Sequence, residues 1–372
     1  MRVFLSPAAH PLSWRLPTVL ALTAVLFAGA AAPVAARNLN AQNHYRVTNL
    51  VSDIPGLAKV TDSHLVNSWG ITAGPATPWW SSNNGTDTST LYNGAGTPFP
   101  PPPNGPLVVG VAGAPTGTVF NTAGAGFNVT SGTASGSARF LFATESGQVL
   151  GWNPAVSPNA VVGFTASDGA VYKGLAIGSD TNGFHLYVAD FVNHKVDVLS
   201  PTFSPETLAG DFTDPNLPAG YGPFGIQNVN GTIIATFALV GPTGDEIDGE
   251  GLGIVDAFGT DGTFLGRIAT GGALDAPWGI AMAPSDFGKF SGDLLIGNFG
   301  DGRINAFAAT PDGWEARGPL KKPKGGPIVI DGLWGIGFGN DANSGPHNVL
   351  YFAAGIDDEA HGLFGSIAWV PD

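Results

Sequence analysis

Short apolar runs separated by polar turns fill most of this chain. The clearest recurring run is a strand-like segment built around a glycine: SWGIT (68–72), PTGTV (115–119), YKGLAI (172–177), PFGIQ (223–227), PWGIAM (277–282) and LWGIGF (333–338). Its glycines, Gly70, Gly117, Gly174, Gly225, Gly279 and Gly335, are spaced 47, 57, 51, 54 and 56 residues apart. Each run is followed by a second one: PWWSSN (78–83), RFLFATE (139–145), HLYVAD (185–190), TIIATF (232–237), DLLIGN (293–298) and VLYFAA (349–354). After a short polar turn comes a third: STLYN, QVLGWN, KVDVLS, GIVDAF, RINAFA and GSIAWV. Where room remains, turns such as TDG (260–262) and TPDG (310–313) lead to a fourth. Short strands at this spacing predict an all-β chain, and four strands per unit of about 50 residues is the pitch of a propeller blade.

The expectation is therefore a six-bladed β-propeller of four-stranded blades in a single domain over residues 37–372. The recurring glycine suits an innermost strand, where neighbouring blades crowd the axis and only a residue without Cβ lets backbones close up. Trp69, Trp278 and Trp334 would wedge between adjacent blades as core, an aromatic ligand platform being the alternative. After Gly335 the chain has room for three strands, not four, while HYRVTNLV (44–51) lacks a partner in its own repeat. That segment is expected to supply the outer strand of the last blade, closing the ring and removing an exposed edge. Two irregular pieces, the Pro-rich GAGTPFPPPPNGP (94–106) and the acidic LVGPTGDEIDGEG (239–251), read as surface insertions within blades.

Composition agrees with this and narrows the chemistry. Of 372 residues, 55 are Gly and 30 Pro, which excludes a long helical bundle, while 43% hydrophobic content is too high for a disordered chain. With 15 Lys and Arg against 29 Asp and Glu the net charge is −14, so nucleic acid is not an expected partner. Cysteine is absent, which removes thiol catalysis, Cys-ligated zinc and iron–sulfur clusters. Arg2 and Arg15 precede the apolar run LPTVLALTAVLFAGAAAPVAA (16–36), with Val34 and Ala36 placed for signal cleavage before Arg37. A secreted or periplasmic product with no membrane span after cleavage is expected; an uncleaved anchor is the alternative.

Two repeats carry a resemblance. KGLAIGSDTNGFHLYVADFVNHKVDVL (173–199) is similar to the NHL repeat of six-bladed propellers, and PWGIAMAPSDFGKFSGDLLIGNFGDGRINAF (277–307) keeps its outline with Asn298 in place of an aspartate. The whole chain resembles a family of secreted bacterial NHL-repeat-like propellers of unassigned function. NHL-type propellers include binding modules, lyases and calcium-dependent lactonases, so the resemblance implies the fold and no reaction.

In such a ring all turns between second and third strands share one face, and here they are acidic and amidic. Asp190, Asn193, Asn298, Asp301, Asp357 and Asp358 are candidates for ligand binding, and Asp245, Asp248, Glu250 and Asp358 for a metal such as Ca2+, which favours clustered hard oxygens. Against this stands the ordinary use of Asp and Asn as turn formers. Glu145 and His361 are the candidate catalytic groups. Three readings follow. The first is a monomeric propeller binding a small molecule, an extracellular protein or a glycan on its acidic face, with Ca2+ as a candidate cofactor. The second is a metal-dependent lactonase-type hydrolase with Asp190, Asn298 or Asp358 as ligands and Glu145 or His361 as base. The third is a protein-interaction scaffold.

Overall fold

The computed structural model describes residues 41–371, so the signal-like segment 1–36 lies outside the described residues. Six sheets follow one another along the chain as blades. Blade one comprises Ser68–Thr72, Trp79–Asn83, Thr88–Tyr92 and Val108–Gly110; blade two comprises Pro115–Phe120, Phe140–Thr144, Gln148–Trp152 and Val161–Thr165. Blade three has Tyr172–Asp180, Gly183–Asp190 and Lys195–Leu199; blade four has Tyr221–Val229, Thr232–Val240, Ile254–Gly259 and Phe264–Thr270. Blade five runs Pro277–Met282, Leu294–Asn298, Ile304–Thr310 and Gly313–Pro319. Blade six begins Leu333–Phe338, Val349–Ile356 and His361–Trp369. Among the described residues no helix is long and apolar enough to cross a membrane.

Closure occurs as the sequence predicts. Tyr45–Ser52 pairs antiparallel with His361–Trp369, from Tyr45 opposite Trp369 to Ser52 opposite Leu363, and becomes the fourth strand of blade six. Blade three departs from the four-strand pattern, having three strands and only an isolated bridge from Leu199 to Pro205 beyond them. The stretch that follows carries Pro201, Pro205, Pro215 and Pro218, which lack the N–H a ladder needs. From this stretch Asp214 reaches Arg267 of blade four, whose Nε also donates to Asp256 at 3.0 Å.

The inner strands are held together by backbone proximity. A Cβ on Gly70 would strike Thr116 O of the next inner strand, one on Gly117 would meet Leu175 N, and one on Gly174 would lie 2.7 Å from Ile226 N. The series continues from Gly225 to Trp278 O, from Gly279 to Trp334 O at 2.7 Å and from Gly335 to Trp69 O at 2.7 Å. Six repeats thus contribute six equivalent contacts that return to their start. The axial space left among Gly70, Gly117, Leu175, Ile226 and Ile280 is about 30 Å3, room for roughly one water.

Burial falls from the axis outwards, as the residue patterns require. The second strand of blade five, Leu294–Asn298, is buried at every position, whereas Phe264–Thr270 at the outside of blade four is largely half-buried or exposed. The Pro-rich segment 94–106 connects the third and fourth strands of blade one, and the acidic segment 239–251 leads from the second to the third strand of blade four.

Candidate functional site at the mouth of the channel

Within each blade the start of the inner strand lies level with the end of the second. Ser68 is opposite Asn83, Tyr172 opposite Asp190, Pro277 opposite Asn298 and Leu333 opposite Ala354. The residue before each ring glycine therefore sits on the same face as the acidic turns. Those residues are Trp69, Thr116, Lys173, Phe224, Trp278 and Trp334: four aromatics, a threonine and a lysine.

The tryptophans correct one expectation. Instead of separating pairs of blades, they meet one another across the axis. Trp69 stacks on Trp334 with ring centroids 3.5 Å apart, and Trp278 meets both edge-on at 6.4 and 5.7 Å. Phe299 stacks on Trp334 from the other side at 4.2 Å, and Phe224 completes the cluster. These rings form a largely buried aromatic floor on the face of the acidic turns.

Lys173 crosses that floor. Its side chain is only 2% exposed, and its Nζ lies 4.6 Å from the Trp69 ring centroid. Burying an ammonium is costly unless carboxylates and a π-face replace its water. Glu145 Oε1 accepts from it at 2.7 Å, and Glu246 Oε2 lies 4.0 Å away. Glu145 is itself held by Asn84, whose Nδ2 donates to Oε2 at 3.0 Å. A third carboxylate, Glu359, accepts from Trp334 Nε1 at 3.2 Å, while Asn67 accepts from Trp69 Nε1 at 2.9 Å. Blades one, two, three, four and six thus supply polar groups, and blade five supplies Trp278 and Phe299.

Local structure explains which acids reach the axis. Within 239–251 the chain turns back on itself, so that Glu246 pairs with Val240 and Ile247 with Leu239. Side chains alternate along that short strand: Glu246 turns inward and is 9% exposed, while Asp245, Ile247 and Asp248 face solvent. In blade six, Asp357, Asp358 and Glu359 take left-handed φ values of 58°, 50° and 64° in succession. For residues with a Cβ this conformation costs about 1–3 kcal/mol each and gathers at functional sites. Here it lays the Glu359 carboxylate against Trp334.

Burial is also the main electrostatic influence. It pushes the Glu246 carboxyl up to about 7, against the opposing pull of Lys173. Burial raises Glu359 as well, with hydrogen bonds and Lys173 working the other way. For both carboxyls burial thus outweighs the nearby ammonium, which favours the ionised form.

Of the candidates from sequence, Glu145 belongs to this cluster. Asp190 is buried beneath its own turn, accepting from Asn193 Nδ2 at 2.8 Å, and burial raises its carboxyl. Asn298 donates to Asp301 Oδ1 at 2.9 Å within its own turn and to Ala273 O at 2.8 Å, which ties that turn to the loop before blade five. Asp357 donates its N–H to Asp331, and Asp358 is exposed. Asp245 accepts from Thr243, and Glu250 is exposed. Among the described residues no group of three or more His, Cys, Asp or Glu could hold a metal ion, so Asp245, Asp248, Glu250 and Asp358 are not brought together. His361 pairs with Asp53 Oδ2 at 2.6 Å, and that bond raises the imidazole above its ordinary value. It ties blade six to the segment following the closing strand.

Lys173 is the member that reasoning from sequence did not name, while Glu246 and Glu359 lie within the acidic runs 245–250 and 357–361 that it pointed to, beside the candidates Asp245 and Asp358. Lys173 carried a signal: it occupies a position filled by an aromatic in four of the six repeats.

No family model matches the chain. Among solved structures, a glucose dehydrogenase is 15% identical with a TM-score of 0.51, covering 86% of this chain and 99% of that one. A streptogramin B lyase is 11% identical with a TM-score of 0.46, over 88% and 98% of the two chains. At such identities the likeness extends to the fold alone. The uncharacterized protein R648 of Acanthamoeba polyphaga mimivirus is 34% identical over 339 residues, 87% of this chain and 80% of its own. The uncharacterized protein L690 of the same virus is 33% identical over 343 residues, 87% and 85% of the two chains. By this identity and coverage, the chain belongs to the family of six-bladed propeller proteins that includes R648 and L690.

Proposed function

We propose that this protein binds a small polar ligand at the acidic mouth of its channel, and that Lys173, Glu145, Glu246 and Glu359 contact it. The observation that carries the reading is the burial of Lys173 among carboxylates from three other blades. A fold needing only stability is served as well by apolar side chains in such a place. Four of the six equivalent positions are in fact aromatic. Three carboxylates against one ammonium favour a ligand that brings hydrogen-bond donors, namely a polyol, a sugar or a primary amine. The left-handed run at 357–359 supports the same reading, since it costs free energy and its evident result is the placement of Glu359.

The test is a thermal-midpoint and calorimetric screen of the full chain against monosaccharides, polyols and primary amines. A ligand present at a hundred times its dissociation constant adds about 2.7 kcal/mol of stability. Glu246→Gln and Lys173→Met should abolish the shift, while Asp358→Ala and His361→Gln, which lie off the mouth, should retain it. Loss of binding in the second pair with retention in the first would reject the assignment.

A catalytic reading has one specific support: burial pushes Glu246 up to about 7, where a carboxyl serves as general acid or base near neutral pH. In a lactonase-type reaction Glu246 would take a proton from the attacking water while Lys173 stabilises the carbonyl oxygen, and would return that proton to the ring oxygen as the acyl–oxygen bond breaks and the hydroxy acid forms. Turnover of a lactone panel that vanishes in Glu246→Gln would establish it; turnover unchanged in that variant would reject it.

A further inference from the structure

The opposite face of the disc carries a second concavity with different chemistry. It lies between blades one and two, where the turn from first to second strand in blade one faces the end of Pro115–Phe120 and the start of Phe140–Thr144. Its volume is about 690 Å3, within the range of pockets that hold drug-sized molecules. The walls are aromatic. Trp80 stacks on Phe140 with centroids 4.0 Å apart and meets Trp152 at 4.8 Å, while Phe120 stands edge-on to Phe140 at 5.4 Å. Phe99, delivered by the Pro-rich segment 94–106, is half-buried at the side.

The charge pattern is the informative part. Acids outnumber bases 29 to 15 in the chain, yet no Asp or Glu lines this cavity. The one charged side chain lining it is Arg139, which is exposed and, among the described residues, has no ion-pair partner. A guanidinium free of carboxylates beside aromatic walls fits a flat apolar body that ends in an anion. In addition, the Nε1–H of Trp152, buried in the wall, has no acceptor, an arrangement native proteins seldom leave unrelieved.

We propose that this cavity is a binding site for a small aromatic carboxylate, its ring lying among Phe99, Phe120, Trp80 and Trp152 and its carboxylate paired with Arg139. The site is separate from the channel mouth and stands whether or not the reading of that mouth holds.

Titration of the full chain with 2-naphthoate and with its neutral counterpart 2-naphthalenemethanol, followed by tryptophan fluorescence and calorimetry, tests the proposal. Naphthoate is expected to bind at least about tenfold more tightly than the alcohol, the worth of one charge-assisted hydrogen bond. Arg139→Gln, a change at an exposed position, should bring the two affinities together, and Phe120→Ala should weaken both. Equal affinities in the unmodified chain, an undiminished preference in Arg139→Gln, or no binding of either probe would each overturn it.

Discussion

Lys173 and Glu145, from adjacent blades and 28 residues apart, meet at 2.7 Å above the ring of Trp69. The ammonium is shielded from water while Glu145 stays 30% exposed, so the lysine depends on the pair more than the glutamate does. Lys173→Met keeps the apolar stem over Trp69 and removes the charge. Glu145 then returns to solvent, and the inward-facing Glu246 is left to take up a proton. The expected loss is about 1.5–3 kcal/mol by chemical denaturation at pH 7, the scale of hydrogen bonds to charged groups. The double variant Lys173→Met with Glu246→Gln should recover part of it. No loss in the single variant would mean that the pair contributes nothing net.

Glu246 makes stability depend on pH in a definite direction. Its carboxyl is raised from 4.5 in the unfolded chain to about 7 in the folded one, first by burial. Between those values the folded state holds more protons than the unfolded state, so stability falls as pH rises. The stabilisation is fully present below about 4.5 and is lost as the pH passes 7, amounting to at most about 3 kcal/mol. Glu246→Gln keeps the shape and removes the titration. Denaturation midpoints measured from pH 4.5 to 8 should therefore converge at low pH and separate at high pH, with the variant more stable. Subtracting the two curves cancels groups common to both, His361 among them. Parallel curves would show that the buried carboxyl does not titrate in this range.

How far the sequence could be read follows from the kind of constraint at each position. The ring and its closure were legible because every inner strand meets the same steric demand, and only glycine satisfies it; Gly70 through Gly335 mark six positions directly. The mouth was harder. Asp245 and Glu246 are neighbours of like charge, and only strand pairing with Val240 decides that the second turns inward. Asp357, Asp358 and Glu359 look interchangeable until three successive left-handed residues select the last. Asp190 and Asn298 match the turn pattern of their repeats, and each bonds within its own turn, Asn298 also reaching Ala273 O in the loop before blade five. Lys173 could have been found by aligning the residue before each glycine, where it replaces an aromatic.

The glycine ring makes a steric prediction of its own. At Gly225 a Cβ would lie 2.9 Å from the carbonyl carbon of Trp278 and 2.8 Å from Thr236 Oγ1, against backbone that cannot swing away. Thr236 Oγ1 also accepts the Gly225 N–H, so a shift of the strand would break that bond too. Gly225→Ala should cost about 3 kcal/mol or more, the upper range for overpacking. Gly297→Ala is the control: its nearest neighbour is Leu333 Cδ2 at 3.2 Å, the end of a side chain that can move. A loss under about 1 kcal/mol is expected there. Equal losses at both sites, measured by thermal or chemical unfolding, would deny the inner ring its special role.

Closure depends on Tyr45, the first residue of the strand that completes blade six. The residue is fully buried, and its hydroxyl donates to Phe287 O at 2.9 Å and accepts from Phe290 N at 3.3 Å. Its ring lies 4.8 Å from Phe287 and its backbone N–H bonds to Lys321 O at 2.8 Å, so one residue fastens the last blade to the one before it. Tyr45→Phe keeps the packing but leaves a buried carbonyl and a buried N–H without their partner, at a cost of about 1–3 kcal/mol. The effect should also be local. Because 45–52 covers the edge of 361–369, loosening it should speed amide hydrogen exchange in those two strands before the inner strands of blades two and three respond. Exchange that accelerates evenly around the ring would mean that the molecule opens as a whole. Exchange unchanged at 45–52 would mean that the tyrosine does not hold the seam.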